Sequence, residues 1–227
     1  MSFATVVSQG YFVSYQRDHA QYRHTFCGEH HIPGAVCPNC QTSLLRILSI
    51  DLADPRFAAV SSHGDVLHLL FCWTCNISAE PFYYQIQDNG AVQLLAYGKD
   101  GCVDDFPYEA YPTYFPETPV DFSPIDAAEQ QILHALNTGD LDEDDLDEEQ
   151  EYLCAPQHQI GGEPYMIDPE MLEEEIACVS CHHPMRFLAA VADGNRDERG
   201  FTGNPYVQLL FFYCDTCNTI CAVQRCD

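Results

Sequence analysis

Eight of the chain's thirteen cysteines stand in four Cys-x-x-Cys pairs, and these pairs form two couples. In the first couple 31 residues separate Cys40 from Cys72, and in the second 32 residues separate Cys181 from Cys214. Two such turns can direct four thiolates at one ion and so supply the ligands of a tetrahedral zinc site. The spacing therefore predicts two zinc sites with four cysteine ligands each. Their ligands would be Cys37, Cys40, Cys72 and Cys75 in the first site and Cys178, Cys181, Cys214 and Cys217 in the second.

Two other interpretations of the cysteine pairs compete with zinc. A redox Cys-x-x-Cys motif needs a thioredoxin-like setting at the start of a helix, which four motifs in repeated couples fit poorly. Alternatively, the cysteines could simply be small buried apolar side chains. The spacing favours zinc over both, and it leaves open whether the couples close within each half of the chain or between the halves.

The other five cysteines are interpreted as ordinary loop or strand positions. They are Cys27, Cys102, Cys154, Cys221 and Cys226. Cys27 could form a further ligand set with His30 and His31, but the ordinary interpretation is favoured. A disulfide framework is not expected, because an intracellular chain keeps its thiols reduced.

Four-thiolate zinc sites are normally closed and structural, because no coordination position is left for water. We also find no His-Glu-x-x-His helix and no Ser or Cys nucleophile beside a base. His63 and His158 are polar and available, but single histidines usually satisfy local hydrogen bonds. The sequence therefore predicts two structural zinc ions and no enzymatic activity.

The segments that flank the cysteine pairs are also repeated. QTSLLRILSIDLAD follows the first pair and HHPMRFLAAVADG follows the third, while GDVLHLLFCWTC corresponds to PYVQLLFFYCDTC. Self-similarity at a fixed separation indicates related structural units. We therefore predict a mainly β (α+β) fold of two duplicated β-rich modules, each with a four-cysteine zinc-knuckle site, joined by one helix and an acidic linker. The predicted boundaries are 1–116 for the first module, 117–152 for the helix and linker, and 153–227 for the second module.

Short apolar runs bounded by polar turns predict the strands of both modules. The predicted strands are 44–52, 66–72, 82–86, 92–97, 185–191, 207–214 and 219–224. Asn89-Gly90 predicts a tight hairpin turn between two of them. One helix is expected, with Ser123 as its N-cap, Pro124 at its first position, Asp126 in a capping-box role and Gly139 at its end.

The charge of the chain is strongly negative and unevenly placed. The formal net charge is −26, from 35 Asp and Glu against 9 Lys and Arg, and no Lys or Arg lies between Lys99 and Arg186. The densest acidic run, at about 140–152, is predicted to be a mobile linker, because such blocks repel themselves. It could act as a solubility device or as a docking surface for a basic partner. Direct nucleic-acid binding is disfavoured, because it needs Lys and Arg to neutralise phosphates.

Nothing in the sequence indicates contact with a membrane. No run approaches the roughly 20 apolar residues that span a bilayer. The first residues lack a basic segment leading into an apolar stretch, so no signal peptide is expected. A cytoplasmic location is therefore predicted.

The second half contains a composite of motifs. His158-Gln-Ile-Gly-Gly-Glu-Pro-Tyr165 is followed by Cys178-Val-Ser-Cys181-His-His-Pro-Met-Arg-Phe-Leu188, and an apolar run then ends in Cys214-Asp-Thr-Cys217. Over about residues 158–226 this resembles the family that joins bacterial YwqG-like proteins to eukaryotic programmed cell death protein 2 and its relatives. The first half resembles the same family more weakly, through His31-Ile-Pro-Gly34 and residues 37–45.

The resemblance implies a mostly β fold built from duplicated units. Eukaryotic members of that family are understood as dedicated chaperones for a ribosomal protein of the small subunit, and some bacterial members are linked to toxin immunity. The resemblance supplies no catalytic residues. Tyr165 stands where the family more commonly has Trp, and the acidic insert is not part of the family's pattern.

These features together predict a non-catalytic, zinc-stabilised protein-binding module, chaperone- or immunity-like, that sequesters a basic protein such as a ribosomal protein, a toxin or a nucleic-acid-binding protein. The alternatives are an acidic nucleic-acid mimic that inhibits a nucleic-acid-binding protein and, less favoured, a zinc or thiol enzyme. Paired glycines allow either a tight turn or a groove floor for a partner segment. The predicted partner-binding residues are Asp140, Asp142, Glu143, Asp144, Asp145, Asp147, Glu148, Glu149, Gly161 and Gly162.

Overall fold

The structure is a computed structural model that describes residues 4–15, 21–61, 64–73, 80–98, 112–167, 175–193, 201 and 207–226. These residues form twelve strands and one α-helix, α1, which confirms a mainly β fold. The strands are β1 Tyr11–Ser14, β2 Thr25–Phe26, β3 Leu45–Asp51, β4 Val66–Phe71, β5 Phe82–Ile86, β6 Val92–Ala96, β7 Thr118–Pro119, β8 Asp121–Pro124, β9 Gln159–Ile160, β10 Arg186–Ala192, β11 Val207–Cys214 and β12 Thr219–Cys226. The helix α1 spans Ala127–Thr138.

The strands form two antiparallel sheets, and the larger sheet takes strands from both halves of the chain. Its order is β6-β5-β12-β11-β10-β9-β1-β8, and the smaller sheet has the order β4-β3-β2-β7. The β5–β6 hairpin pairs with β12, and β1 pairs with β9. The larger sheet therefore runs across the module boundaries that the sequence predicts at 116/117 and 152/153.

The central strand β11 is buried along its whole length. Its alternate residues Leu209, Phe211 and Tyr213 join the main core, while Leu210 and Phe212 join a second apolar cluster on the other face. Side chains of a strand alternate between the two faces of a sheet, so an uninterrupted apolar run fits a strand covered on both sides. This explains why the sequence predicts β11 with its observed bounds.

The hairpin between β5 and β6 turns at Asn89-Gly90, as predicted. Gly90 has a φ of 78°, a conformation that glycine adopts without steric cost. The Asn89 side chain accepts a hydrogen bond from the Ala91 amide at 3.0 Å. This turn fixes the hairpin that extends the larger sheet at β12.

The helix begins three residues later than the sequence predicts, so the assignment of Ser123 as N-cap is wrong. Ser123 and Pro124 lie in β8, where they pair with β1. The N-cap is Asp126, whose carboxylate accepts from the amides of Ala128 and Glu129, and the Glu129 carboxylate accepts from the Asp126 amide. Ser123 and Pro124 have the residue types of a helix start, but they pair with β1 as part of a strand. The capping box therefore forms at Asp126, the next acidic residue.

The predicted helix end is confirmed. Gly139 caps α1 with a φ of 73°, and its amide donates to the last turn of the helix. Glycine is favoured at this position because the left-handed conformation costs it little.

The acidic run after α1 contains two short 3-10 helices, Glu143–Asp145 and Glu151–Cys154. Its eight predicted partner-binding carboxylates belong to exposed residues. Two tyrosines attach the run to its surroundings: Tyr165 donates to Glu143 at 2.8 Å, and Tyr152 donates to Glu129 on α1. Leu153 is buried at the end of the run. The carboxylates thus line a segment that is fastened to α1, and its mobility stays a prediction.

Candidate metal centres

The second cysteine cluster combines one turn before β10 with one turn after β11. Cys178 and Cys181 lie in the first turn, Cys214 ends β11, and Cys217 lies in the turn that leads to β12. Because β10 and β11 are paired antiparallel neighbours, their hydrogen bonding brings the two turns to the same end of the sheet. All four sulfur atoms lie within 4.8 Å of one another.

The first cluster has the same construction on the smaller sheet. The sulfur atoms of Cys37, Cys40 and Cys72 lie within 4.8 Å of one another, at the ends of the paired strands β3 and β4. Cys75, the fourth predicted ligand, lies outside the described residues. Each cluster draws on one half of the chain, so the described cysteines group within the halves and not between them.

The sulfur–sulfur distances fit ligands that share one tetrahedral ion. Four thiolates about 2.3 Å from a zinc ion are separated from one another by about 3.8 Å. The Cys40 and Cys72 sulfurs are 3.6 Å apart, and those of Cys181 and Cys214 are 3.5 Å apart. A disulfide would hold the two sulfurs at about 2.05 Å. The donor sets can therefore hold metal ions without a rearrangement of the turns.

The turns that carry the first two ligands of each cluster have matching backbones. Gln41 and His182, which directly follow the second cysteine of the turn, both have a φ of 61°. The Gln41 amide donates to the Cys37 carbonyl at 3.0 Å, and the His182 amide donates to the Cys178 carbonyl at 2.8 Å. This left-handed residue closes the turn and lets both thiols face the same point.

Hydrogen bonds between the thiols of the second cluster raise the pKa of Cys214 and Cys217 and lower that of Cys178. Burial raises the pKa of Cys214 to about 11 and that of Cys217 to about 12, and hydrogen bonds with neighbouring thiols contribute to both increases. Burial also disfavours the Cys178 thiolate, but hydrogen bonds from the amides of Cys181 and Ser180 and from the thiols of Cys181 and Cys214 together outweigh it and lower the pKa of Cys178 to about 7. A divalent cation would offset the repulsion between thiolates, so metal binding should release protons.

The paired glycines lie inside the fold. Gly161 and Gly162 are buried, with φ values of 59° and 57°. A Cβ atom at Gly161 would lie 2.4 Å from the Val7 carbonyl oxygen, and one at Gly162 would lie 2.6 Å from the Cα atom of Gly10. The chain's own N-terminal segment occupies the space beside these glycines, which favours the tight turn over a groove for a partner segment.

The remaining cysteines stand apart from the two clusters. Within the described residues, no potential metal-binding group includes Cys27, Cys154 or Cys221. Cys27 is buried, and its amide donates to the Ile47 carbonyl at 2.8 Å, which is an ordinary structural position. Cys102 lies outside the described residues, and Cys226 ends β12.

Two of the described histidines are buried: His158, for which the sequence predicts local hydrogen bonds, and His24, to which it assigns no role. Nδ1 of His24 accepts from the Asp51 amide at 3.0 Å, and Nδ1 of His158 accepts from the Ala192 amide at the same distance. Burial lowers the pKa of His24, and burial lowers that of His158 to about 3. The signal that could have revealed them is a shared spacing, since each histidine stands four residues before a glycine, Gly28 or Gly162.

The chain matches none of the protein-family models, curated proteins or solved structures with which it was compared. The resemblance to the YwqG-like family therefore stays a prediction. In the part of the chain that the structure describes, no helix has the length and apolar character needed to cross a membrane.

Proposed function

We propose that the chain is a non-catalytic, zinc-stabilised protein-binding module that sequesters a basic protein partner. The observation that carries the proposal is the acidic run after α1, whose carboxylates are exposed while its tyrosine contacts and the buried Leu153 fasten it to the fold. An attached row of like charges can present a defined surface to a partner of opposite charge. Such a surface speeds the encounter of the two proteins and disfavours partners of the same charge.

Zinc is the metal that best fits the two cysteine clusters. Thiolate ligands select soft or borderline ions, and tetrahedral sites with four sulfurs are typical of zinc or of iron–sulfur centres. The sites would be held by Cys37, Cys40, Cys72 and Cys75 and by Cys178, Cys181, Cys214 and Cys217. Their contribution is to folding, because four protein ligands leave no position for a substrate or a water molecule.

The matching backbones of the two cysteine turns support the prediction that the halves are duplicated modules. On this proposal each module folds around its own ion, and the pair forms a rigid base for the acidic run. The partner is then a basic polypeptide, such as a ribosomal protein or a toxin, which a chaperone or an immunity protein would hold. The same carboxylate row supports a second candidate, a nucleic-acid mimic, if the partner itself binds nucleic acid.

The test compares two triple variants that change the net charge equally. Asp144→Asn, Asp147→Asn and Glu148→Gln remove three negative charges from the acidic run but keep the Tyr165–Glu143 contact. Glu29→Gln, Asp65→Asn and Glu80→Gln neutralise three exposed acids elsewhere on the chain. Binding of a lysine- and arginine-rich peptide would be measured by fluorescence anisotropy at several salt concentrations.

We expect the first variant to bind the peptide at least tenfold more weakly and to show a smaller dependence on salt, while the second stays close to the wild-type chain. Equal weakening by both variants would contradict the proposal, because the run would then act only through net charge. Affinity purification with mass spectrometry identifies the natural partner, and a nucleic-acid-binding protein would favour the mimic.

A further inference from the structure

A cavity of about 360 Å³ lies where the smaller sheet faces the β5–β6 hairpin. Its walls come from β3, β4, the hairpin and the loop before the first cysteine turn. A volume of this size is within the range of small-molecule sites. Neither cysteine cluster contributes to its lining, so it is a separate feature of the fold.

The cavity is basic in a strongly acidic chain. Its lining includes Arg46, His30, His31 and His68 and contains no Asp or Glu. The whole sequence has 35 acidic residues against 9 Lys and Arg, so a lining with this composition runs against the general charge. The lining thus offers an anion one fixed positive charge, at Arg46, together with ring nitrogens that can donate hydrogen bonds.

The basic side chains are held in place by different partners. Arg46 donates from Nε to the Cys27 carbonyl at 3.0 Å and is paired with Glu117. His68 shares a 3.0 Å hydrogen bond between its Nδ1 and the Ser49 hydroxyl, and its Nε2 makes no hydrogen bond to the described residues. A hydroxyl that donates to Nδ1 leaves the proton of a neutral ring on Nε2, which can then donate to a ligand.

The other two histidines have distinct roles. Nε2 of His30 is 2.6 Å from the Leu44 carbonyl and its Nδ1 accepts from the Ile32 amide, so both nitrogens of this ring are used within the loop. His31 is exposed at the cavity and can turn towards a ligand. Ile86 and Val92 from the hairpin add apolar side chains to the lining.

We propose that this cavity binds a small organic anion, whose carboxylate or phosphate group is held by Arg46, His31 and His68 while its apolar part packs against Ile86 and Val92. Arginine and protonated histidine form charge-assisted hydrogen bonds with such oxyanions. The two apolar side chains add affinity for a ligand with a hydrocarbon body over an inorganic ion. This function is independent of the zinc sites and of the acidic run.

Binding should be coupled to protonation of His68. Burial, Arg46 and His30 together lower the pKa of His68 to about 4, so the free cavity holds a neutral ring at pH 7. Among the described residues, the polar groups around it are Arg46 and Ser49 from β3 and His30 and His31 from the loop, and the hairpin contributes only apolar residues and glycine to the lining. A bound anion favours the charged ring and raises its pKa, so the affinity should increase as the pH falls from 8 to 5.

The experiment is isothermal titration calorimetry of the full chain with phenyl phosphate, benzoate, inorganic phosphate and benzylamine. We expect at least one of the two aromatic anions to bind, inorganic phosphate to bind at least fivefold more weakly than that anion, and benzylamine not to bind. Affinity for the aromatic anion should rise at least threefold between pH 8 and pH 6. Failure of both aromatic anions to bind, or binding of benzylamine with equal affinity, would overturn the proposal.

Variants locate the site. His68→Asn keeps an acceptor for the Ser49 hydroxyl but removes Nε2, and we expect at least a tenfold loss of affinity. His31→Ala changes an exposed residue and should cost about threefold. His134→Asn, at an exposed histidine on α1, is the matched control and should have no effect.

Histidine ring signals in the ¹H–¹³C NMR spectrum provide a readout that does not depend on the folding of one variant. The signals of His68 and His31 should shift when phenyl phosphate is added to the wild-type chain, while that of His134 stays in place. Unchanged signals of His68 and His31, or unchanged affinity in both of their variants, would show that the anion binds elsewhere.

Discussion

His24 and His158 occupy matching backbone settings in the two sheets, but the second nitrogens of their rings have different surroundings. Each ring accepts an amide hydrogen bond from the neighbouring strand, as described above. Nε2 of His24 is 3.0 Å from the Asp54 carboxylate, which also binds Arg56. Nε2 of His158 has no hydrogen-bond partner among the described residues, and its ring stacks on Phe26 at 4.6 Å.

The match extends to the residues that follow each histidine. Cys27 and Gly161, three residues on, have φ values of 58° and 59°. Both donate an amide hydrogen bond to a residue at an irregularity of the next strand, Ile47 at 2.8 Å and Leu188 at 2.9 Å. The two halves therefore share a local backbone pattern that tolerates different side chains around it.

The difference between the histidines follows from their place in the fold. His24 is close to Asp54 and Arg56, which carry a polar network towards solvent, so its ring can donate to a carboxylate. His158 lies among aromatic rings in the main core, where a buried donor without a partner costs about 1–3 kcal/mol. The same backbone pattern thus carries a polar network around His24 in the first half and an aromatic contact of His158 in the second.

The largest expected effect tests whether the two cysteine clusters are equivalent. Cys37→Ser and Cys178→Ser should each reduce the metal content from two ions to one per chain, because a serine hydroxyl is a poor substitute for a thiolate. Structural zinc contributes on the order of 10 kcal/mol to folding in small peptides, so each variant should also unfold at a much lower temperature. Metal analysis and calorimetry measure both effects.

Cys154→Ser is the control for these variants, because this half-buried cysteine lies outside both clusters. It should retain two ions. If Cys37→Ser retained two ions while Cys178→Ser lost one, the clusters would not be equivalent and the first would not be a metal site.

A smaller effect on stability should distinguish Gly161 from Cys27, which both have a left-handed backbone conformation. Gly161→Ala should destabilise the fold by about 3 kcal/mol, because its Cβ atom would lie 2.4 Å from the Val7 carbonyl oxygen. Cys27→Ala should cost only about 1 kcal/mol, since the backbone already holds a side chain there and only the sulfur is lost. Urea denaturation measures both values. Similar costs at the two positions would mean that the close approach at Gly161 is easily relieved.

An effect that appears only at acid pH concerns the histidine without a second partner. Because folding lowers the pKa of His158 to about 3 while the unfolded chain has an ordinary value near 6.5, the unfolded state binds the proton first as the pH falls. Stability linked to His158 is therefore complete above about pH 6.5 and is lost below it, by about 1.4 kcal/mol per pH unit.

Urea denaturation between pH 6.5 and pH 4.5 checks this linkage. The slope of stability against pH should be smaller in His158→Asn than in the wild-type chain. Equal slopes in the two proteins would mean that His158 titrates alike in the folded and unfolded states.

The sequence predicts the seven longest strands and the grouping of the described cysteines, because both depend on local patterns, but it misses the five short strands β1, β2, β7, β8 and β9. The apolar run that forms β11 and the Asn89-Gly90 turn each carry their own signal, as do the cysteine pairs at the ends of β3 and β4. Strand partners carry no such signal. That β5 pairs with β12, and β1 with β9, depends on packing between residues more than 100 positions apart.

The helix start and the cavity show why other features were missed. Ser123 and Pro124 have the residue types of a helix start, but pairing with β1 places them in a strand. His31 and His68 become neighbours of one cavity only because β3 and β4 pair and the hairpin folds across them. The sequence shows the types of these residues, but only the folded structure shows that they lie beside the same cavity.

The sharing of the larger sheet between both halves has a consequence for synthesis on the ribosome. The smaller sheet can close once β7 has emerged, because all its strands lie within residues 25–119. In contrast, β5 waits for β12, which follows it by more than 130 residues, and β1 waits for β9. Until then the nascent chain exposes unpaired apolar edges, which are prone to aggregate. The yield of folded protein should therefore depend on translation rate and on access to chaperones. A protein made only of the smaller sheet, which can close early, would depend on them less.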